Sequence, residues 1–475
     1  MPSEHFLKRA SRLIGLDRAI AYTVLLRGWN GIAGLVTLYT IVRFLGPDEQ
    51  GFYYTFGSIL GIQIFFELGF SVTLMQCVSH ERAHLAWTET GTLHGSMRPK
   101  ERLAALLQIA VKWYAVIAIL FFIAVLPSGL IFFRAAGLAH PAVFWRLPWI
   151  WVTISESLML FVSPFFAFLE GSGLVARVAC IRLATSVATS VALWLTLWRG
   201  WALMASPFVS TVGCACSGLL IVVRHRRYFW DLLRTTVPPN TLNWWTEVWP
   251  FQWRITVTWF GYFLTQLANP ILFRYQGTTA AGQMGLSTSI VLAIQSVGIA
   301  WISTKAPMFG FHVAKQEFQD LDRLFFSTVK QFLPVLLFII CGVLFGVYFL
   351  NGSGSPYRSR VLAPLPFLLL AGKMLVDLGV YFMAVYLRAH KKEPFMALSF
   401  VSAIAIAAST YLFGRFVGIT ALVAGNLSVT LLSVIPALII FTQMRRTLHT
   451  PIAGAGFTPG RGAPALSAAS FEAAE

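Results

Sequence analysis

Twelve apolar runs recur along the chain, at roughly 21–43, 52–76, 105–133, 147–169, 174–198, 201–223, 248–273, 280–304, 326–350, 361–387, 395–413 and 418–442. Each approaches the ~20 residues with which a helix crosses a bilayer. None shows the ten-residue alternation of an outer-membrane barrel strand. Six runs precede residue 230 and six follow it. The pattern predicts an all-α polytopic membrane protein of about twelve transmembrane helices in two six-helix bundles. The expected boundaries are 1–223 for the first bundle, 224–247 for a cytoplasmic linker and 248–446 for the second bundle. Residues 447–475, rich in Ala, Gly, Ser and Pro, are expected to form a disordered tail. Arg27 and Asn30 interrupt the first run and no small-residue cleavage site follows it, so it is not expected to be a removable signal peptide.

One pattern occurs twice, 231 residues apart: Arg43-x-x-Gly46-x4-Gly51-x6-Ser58-Ile59 and Arg274-x-x-Gly277-x4-Gly282-x6-Ser289-Ile290. It marks an internal duplication, and an even number of spans separates the copies. The halves are therefore parallel repeats, related by an axis along the membrane normal. Gly46-Pro47 and Gly277 are expected to open short outer turns, with Gly51 and Gly282 starting the next helices and supplying the backbone freedom of a tight connection. Gly57-x3-Gly61 and Gly342-x3-Gly346 suggest close helix contacts, and Pro334, Pro364, Pro366 and Pro436 suggest kinks.

Composition agrees with a bilayer environment: 57% of residues are hydrophobic and 12% charged, against about a quarter charged in soluble domains. Outside the spans, 22 Lys and Arg fall in the segments on the side of the N-terminus and 7 on the other. By the positive-inside rule both termini are cytoplasmic. This spread accounts for most of the +17 net charge and points away from nucleic acid. The basic run at 224–227 suits topology and anionic lipid contact. Five cysteines without a CxxC, and no Walker motif, give no reason to expect disulfides, a metal, a cofactor or ATP hydrolysis. No extramembrane segment is long enough for a catalytic domain, although a synthase working at the membrane surface stays open.

Arg43 and Lys330 lie close enough to span ends to snorkel. Arg27, Lys112, Arg182, Arg254 and Lys373 lie deeper, and five lipid-facing cations would cost on the order of 15 kcal/mol. They are expected to face an interior or a wet cleft. Arg27 precedes Arg43 by 16 residues and Arg254 precedes Arg274 by 20, so the two are about one turn apart in equivalent helices, in the cytoplasmic third. A guanidinium from each half would suit a phosphate; the alternative is an interface snorkel at each site. Lys373 and Asp377, four residues apart, can neutralise each other or take part in gating or ion coupling. Glu67 and Glu156 can pair with Lys112 or Arg182 across helices, or carry a coupling proton. No histidine lies squarely within a span.

The run Arg43-Phe44-Leu45-Gly46-Pro47-Asp48-Glu49-Gln50-Gly51-Phe52-Tyr53 resembles the first outer turn of the polysaccharide or O-antigen flippase family. Phe66-Glu67-Leu68-Gly69-Phe70 and the stretch from Arg102-Leu103 to Lys112-Trp113-Tyr114 continue the likeness, which is strong over the first 115 residues or so. The resemblance implies the two-bundle fold shared with multidrug and toxin extrusion carriers and lipid II flippases, with a central cleft lined by spans one, two, seven and eight. It also implies alternating-access transfer of an undecaprenyl-pyrophosphate-linked oligosaccharide across the inner membrane, coupled to a proton or sodium gradient. A polysaccharide polymerase and glycosyltransferases would be the partners. The expected substrate-binding residues are Arg27, Arg254, Asn30, Arg182 and Lys112, and the expected ion-coupling residues Glu67, Asp377 and Glu156. The alternative is an ion-coupled multidrug or metabolite antiporter of the same fold, whose cationic substrates favour a more acidic cleft; a scaffold without transport would instead leave its buried charges mutually paired.

Overall fold

The computed structural model describes residues 18–449 except 68, 89–91, 239–240, 245–246, 248, 250–251, 253–263, 265, 391 and 393. The helices are α1 (Arg18–Phe44), α2 (Pro47–Leu60), α3 (Gln63–Glu67), α4 (Phe70–Arg82), α5 (Met97–Ala139), α6 (Arg146–Gly171), α7 (Val175–Trp198), α8 (Ala205–Arg234), α9 (Ala268–Tyr275), α10 (Thr278–Ala314), α11 (Phe318–Gly352), α12 (Pro364–Ala389), α13 (Met396–Phe416) and α14 (Ile419–His449). Among the described residues ten helices are long and apolar enough to cross a membrane, and α2 to α4 together make an eleventh, bent by 43°. The bend falls at Gly69, whose φ of +66° is a left-handed angle that glycine adopts without a Cβ clash. The expected span 248–273 lies mostly outside the described residues, with α9 as its visible end. Tail residues 450–475 also lie outside them.

Within the first half, α1 packs along α7, α6 and α7 pack on α8, and α4 and α5 pack on α6. Within the second, α12 lies against α10 and α14, α13 against α14, and α11 against α10. Apolar runs form these helices, but lipid tails are as apolar as leucine, so fit and hydrogen bonds decide where helices meet. The connections after α1, α7, α9, α11 and α13 share one end of the molecule, called here the turn end; the Arg- and Lys-rich connections share the other, the basic end.

The two halves meet chiefly through α2 and α10 at the turn end. Gly51 lies inside α2 rather than at its start; Gly46 caps that helix and Pro47 opens it. A Cβ on Gly51 would stand 2.0 Å from the Thr278 carbonyl oxygen. On Gly282 it would stand 3.0 Å from the Gly51 amide nitrogen, and on Gly285 2.3 Å from Cγ of Tyr54. Tyr54 and Gly285 are also 231 residues apart, so equivalent positions of the two copies face each other across the repeat axis. These glycines provide proximity and not the turn angles expected of them. Only Gly277, with φ +96°, serves a turn in that way. By contrast, nothing outside its own helix approaches within 4 Å of a Cβ on Gly57, Gly61, Gly342 or Gly346, so the expected GxxxG contacts are not made.

Three local features depart from the hydropathy pattern. A hairpin of β1 (Leu85–Trp87) and β2 (Leu93–Gly95) follows α4, and Trp87 Nε1 donates to the Ser172 carbonyl at 3.3 Å. The basic run 224–227 is helical, because α8 continues unbroken to Arg234. Pro364 and Pro366 stand in the first turn of α12 and so do not kink it, whereas Pro334 and Pro436 are internal to α11 and α14. At the basic end Arg102 bonds Glu81 at 2.7 Å and Glu247, and reaches the Thr241 carbonyl at 3.2 Å. Burial pushes the Glu247 carboxyl up, but the Asn243 amide and the Arg102 guanidinium outweigh it and hold it below the usual range.

Gly51→Ala is expected to destabilise the detergent-solubilised protein by about 1–3 kcal/mol, because a backbone carbonyl cannot rotate out of the way. Gly57→Ala should be neutral or slightly stabilising. Apparent melting temperatures of the two variants check the pair, and equal values would disprove the assigned crossing.

Candidate functional site

Directly below the crossing the halves are fastened by polar contacts at 2.5–3.3 Å. Gln50 Nε2 donates to the carbonyls of Gly282 at 2.8 Å and Arg360 at 3.0 Å. The Thr278 and Thr279 hydroxyls donate to Asp48 Oδ1 at 2.5 and 3.3 Å. Asp48 also faces His140 Nδ1 at 3.3 Å, and Asn269 Nδ2 donates to the Ser58 hydroxyl at 3.0 Å. Around these bonds Phe273 of the second half packs on Phe52 and Phe133 of the first at centroid distances of 4.9 and 5.2 Å. Such a seal closes the turn end between the halves.

Beneath the seal, the second half encloses a cavity of about 510 Å³ lined by α9, α10, α12, α13 and α14 and extending to the basic end at Arg388 and Lys392. Its size falls within the range of about 300–1,000 Å³ typical of small-molecule sites. Apolar walls from Met284, Val291 and Leu370 alternate with amides and hydroxyls. Lys373 Nζ bonds Asp377 Oδ2 at 2.6 Å on the cavity wall. The spacing of four residues anticipated this pair, and the pairing neutralises it locally.

Placement of the remaining expected residues is uneven. Arg27 is exposed on the basic-end half of α1, and Lys112 is exposed on α5. Neither has an ion pair among the described residues. Arg254 lies outside those residues. Arg182 pairs with Glu170 at 2.9 Å, which offsets a charge that spacing left unpaired. Asn30 accepts from the Ser186 hydroxyl at 2.6 Å, tying α1 to α7. Glu67 bonds neither Lys112 nor Arg182. It stands at the bend between α3 and α4, where Tyr114 donates to it at 2.8 Å and Ser71 also bonds it. Glu156, likewise without a cation, accepts from Ser210 at 2.5 Å. The three carboxylates thus occupy three separate places in the fold. The excess of deep cations over acids is smaller than it looks in sequence, since two of the four described ones have carboxylate partners.

The missed polar contributors are Gln266, Gln295 and Asn269, which line the cavity. Amides inside apolar runs were a signal available in the chain; attention to charge passed over them.

The sequence pattern of the family described as polysaccharide biosynthesis proteins matches residues 16–310. The chain belongs to that family. The match extends well past the first 115 residues on which the resemblance was strongest. Among curated proteins none matches the chain. Among solved structures, the fold of this family member is similar to an inward-facing multidrug resistance MATE family transporter of the MOP superfamily, with TM-score 0.66 and 14% identity over 92% of this chain and all of that one. A MOP superfamily transporter from Pyrococcus furiosus, for which a binding pocket of reverse polarity suggests a different function, aligns with TM-score 0.57 and 13% identity over 92% of this chain and 98% of its own. A mutant of the Vibrio cholerae MATE transporter VcmN aligns with TM-score 0.54 and 15% identity over 91% and 98%. At such identities the likeness establishes the fold. This polysaccharide biosynthesis family member is a multi-pass membrane protein with the two-bundle MATE-type architecture.

Removing one partner of the Lys373–Asp377 pair should cost more than removing both. Lys373→Met is expected to lower stability by about 1–2 kcal/mol, less than the 3–5 of a sealed pair because the Asp377 side chain is 36% exposed. Adding Asp377→Leu should recover most of that loss. A double-mutant cycle of melting temperatures checks this, and simple additivity would show that the pair does not interact.

Proposed function

We propose that the chain is an alternating-access flippase that moves an undecaprenyl-pyrophosphate-linked oligosaccharide across the inner membrane for surface polysaccharide synthesis. The observation that carries this reading is the cavity of the second half, sealed at the turn end, reaching the basic end and lined by Lys373, Arg388 and Lys392 against Asp377. A pyrophosphate leaving water needs compensating cations, and an anionic substrate fits a lining with more cations than acids. The positive-inside rule makes the basic end cytoplasmic, with both termini there. The cavity is then open toward the leaflet in which such a precursor is made. In this reading the units are 1–223, the linker 224–247, 248–446 and the tail 447–475.

Arg27 and Lys112, exposed and without carboxylate partners among the described residues, are the cations of the first half assigned to the headgroup. Arg254 joins them by its register with Arg27. Arg182 contributes if phosphate displaces Glu170, and Asn30 holds the adjoining stretch of α1. For coupling to a proton or sodium gradient, Glu67 is the first choice, because it sits at the one bend within a span pair and its partners are hydroxyls. Asp377 and Glu156 are the alternatives. Glycosyltransferases and a polymerase on either side of this step are the expected partners. The second reading, an ion-coupled antiporter of drugs or metabolites, draws on the MATE-type fold.

In proteoliposomes, Arg27→Ala is expected to reduce transfer of labelled lipid-linked glycan about tenfold, a loss of roughly 1.4 kcal/mol in headgroup stabilisation. Glu67→Gln should leave headgroup binding intact and remove the response to an imposed gradient. Saturable export of organic cations with no glycan-lipid transfer would replace the flippase reading with the antiporter.

A further inference from the structure

Resting on the flippase reading, we infer that the cavity of the second half orders its ligand along the membrane normal: phosphate at the mouth between Arg388 and Lys392, and sugar units above it against Gln266 and Gln295. The ordering follows from helix register. At 1.5 Å per residue, Gln295 lies about 26 Å along α10 from its turn end, and Arg388 about 36 Å along α12 from its own. Gln266, nine residues before the end of α9, lies about 13 Å deep on the same scale. The upper part of the cavity therefore holds neutral amides and the self-compensated Lys373–Asp377 pair, whereas the further cations sit at the mouth.

Chemistry assigns a ligand to each zone. Neither Gln266 nor Gln295 has a hydrogen-bond partner among the described residues, yet both line a largely apolar cavity. Unsatisfied amides in such surroundings are costly, and sugar hydroxyls can donate and accept with them at once. Arg388 and Lys392 stand at a depth comparable to the ~30 Å hydrocarbon thickness, where the phosphate of a membrane-anchored substrate rests while its tail stays in lipid. An arginine and a lysine suit phosphate oxygens as a fork and a point charge. A glycan threaded upward from that anchor meets the amides next.

The test uses the full chain purified in detergent, with inorganic pyrophosphate as the titrant in calorimetry. Lys392→Gln combined with Arg388→Gln is expected to weaken pyrophosphate binding about tenfold or more, and Lys392→Gln alone by a smaller factor. Gln266→Leu combined with Gln295→Leu should leave pyrophosphate affinity within about twofold while reducing lipid-linked glycan transfer about tenfold. Unchanged pyrophosphate affinity in the mouth variant overturns the ordering, as does an equal loss in the amide variant. Competition by nanodiscs containing phosphatidylglycerol, and not by phosphatidylcholine alone, would assign the mouth to bulk lipid phosphate and also overturn it. Mouth-dependent pyrophosphate binding without glycan-lipid transfer would refute the flippase reading and leave the anion site standing. Transfer that persists while the mouth variant binds pyrophosphate normally would refute the ordering alone.

Discussion

The approach of two backbones at Gly51, Thr278 and Gly282 is the contact on which the rest of the arrangement depends. In lipid no solvent drives helices together, so two halves hold only where surfaces fit and polar groups find partners. Removing side chains at those positions lets α2 and α10 touch main chain to main chain. That proximity brings Gln50 to the Gly282 carbonyl, Asp48 to Thr278 and Ser58 to Asn269. A single extra methyl group would displace every one of these bonds together.

Duplication supplied matching backbones but not matching chemistry. The counterparts of Asp48 and Gln50 in the second copy are Thr279 and Ala281, so an acid and an amide of one half meet hydroxyls and carbonyls of the other. Two identical acidic turns would have repelled each other across the axis. The same asymmetry extends downward: the second half carries the polar cavity, and the first half carries two isolated carboxylates held by hydroxyls. Membership of the polysaccharide biosynthesis family and the MATE-type fold fit an arrangement in which one half grips and the other adjusts.

Much of the architecture was legible in the chain, because hydropathy over some twenty residues is a strong local signal. Span limits agree within a few residues for most helices, and the repeat offset of 231 residues identified the helices that face each other. The purpose of Gly51 was not legible, since its crowding comes from a carbonyl 227 positions away. The same holds for Gly57 and Gly342, where a motif without a partner surface makes no contact. For the site, the Lys373–Asp377 pair was readable because both ends lie on one helix face. Arg182–Glu170 and Glu67–Tyr114 were not, because the loop after α6 and the bend at Gly69 decide who meets whom. Arg102, counted only as a topology signal, gathers Glu81 and Glu247 through a linker whose path hydropathy does not describe.

Confining the junction to one end has a mechanical consequence. α10 has 37 residues, which makes it about 55 Å long, and it is held within its first two or three turns. It therefore works as a lever with its fulcrum beside Gly282. A rotation of about 10° there would sweep the far end through roughly 10 Å over that length, while the atoms at the fulcrum hardly move. Large changes of aperture at the basic end can thus be driven by small adjustments among Asp48, Gln50 and two threonines.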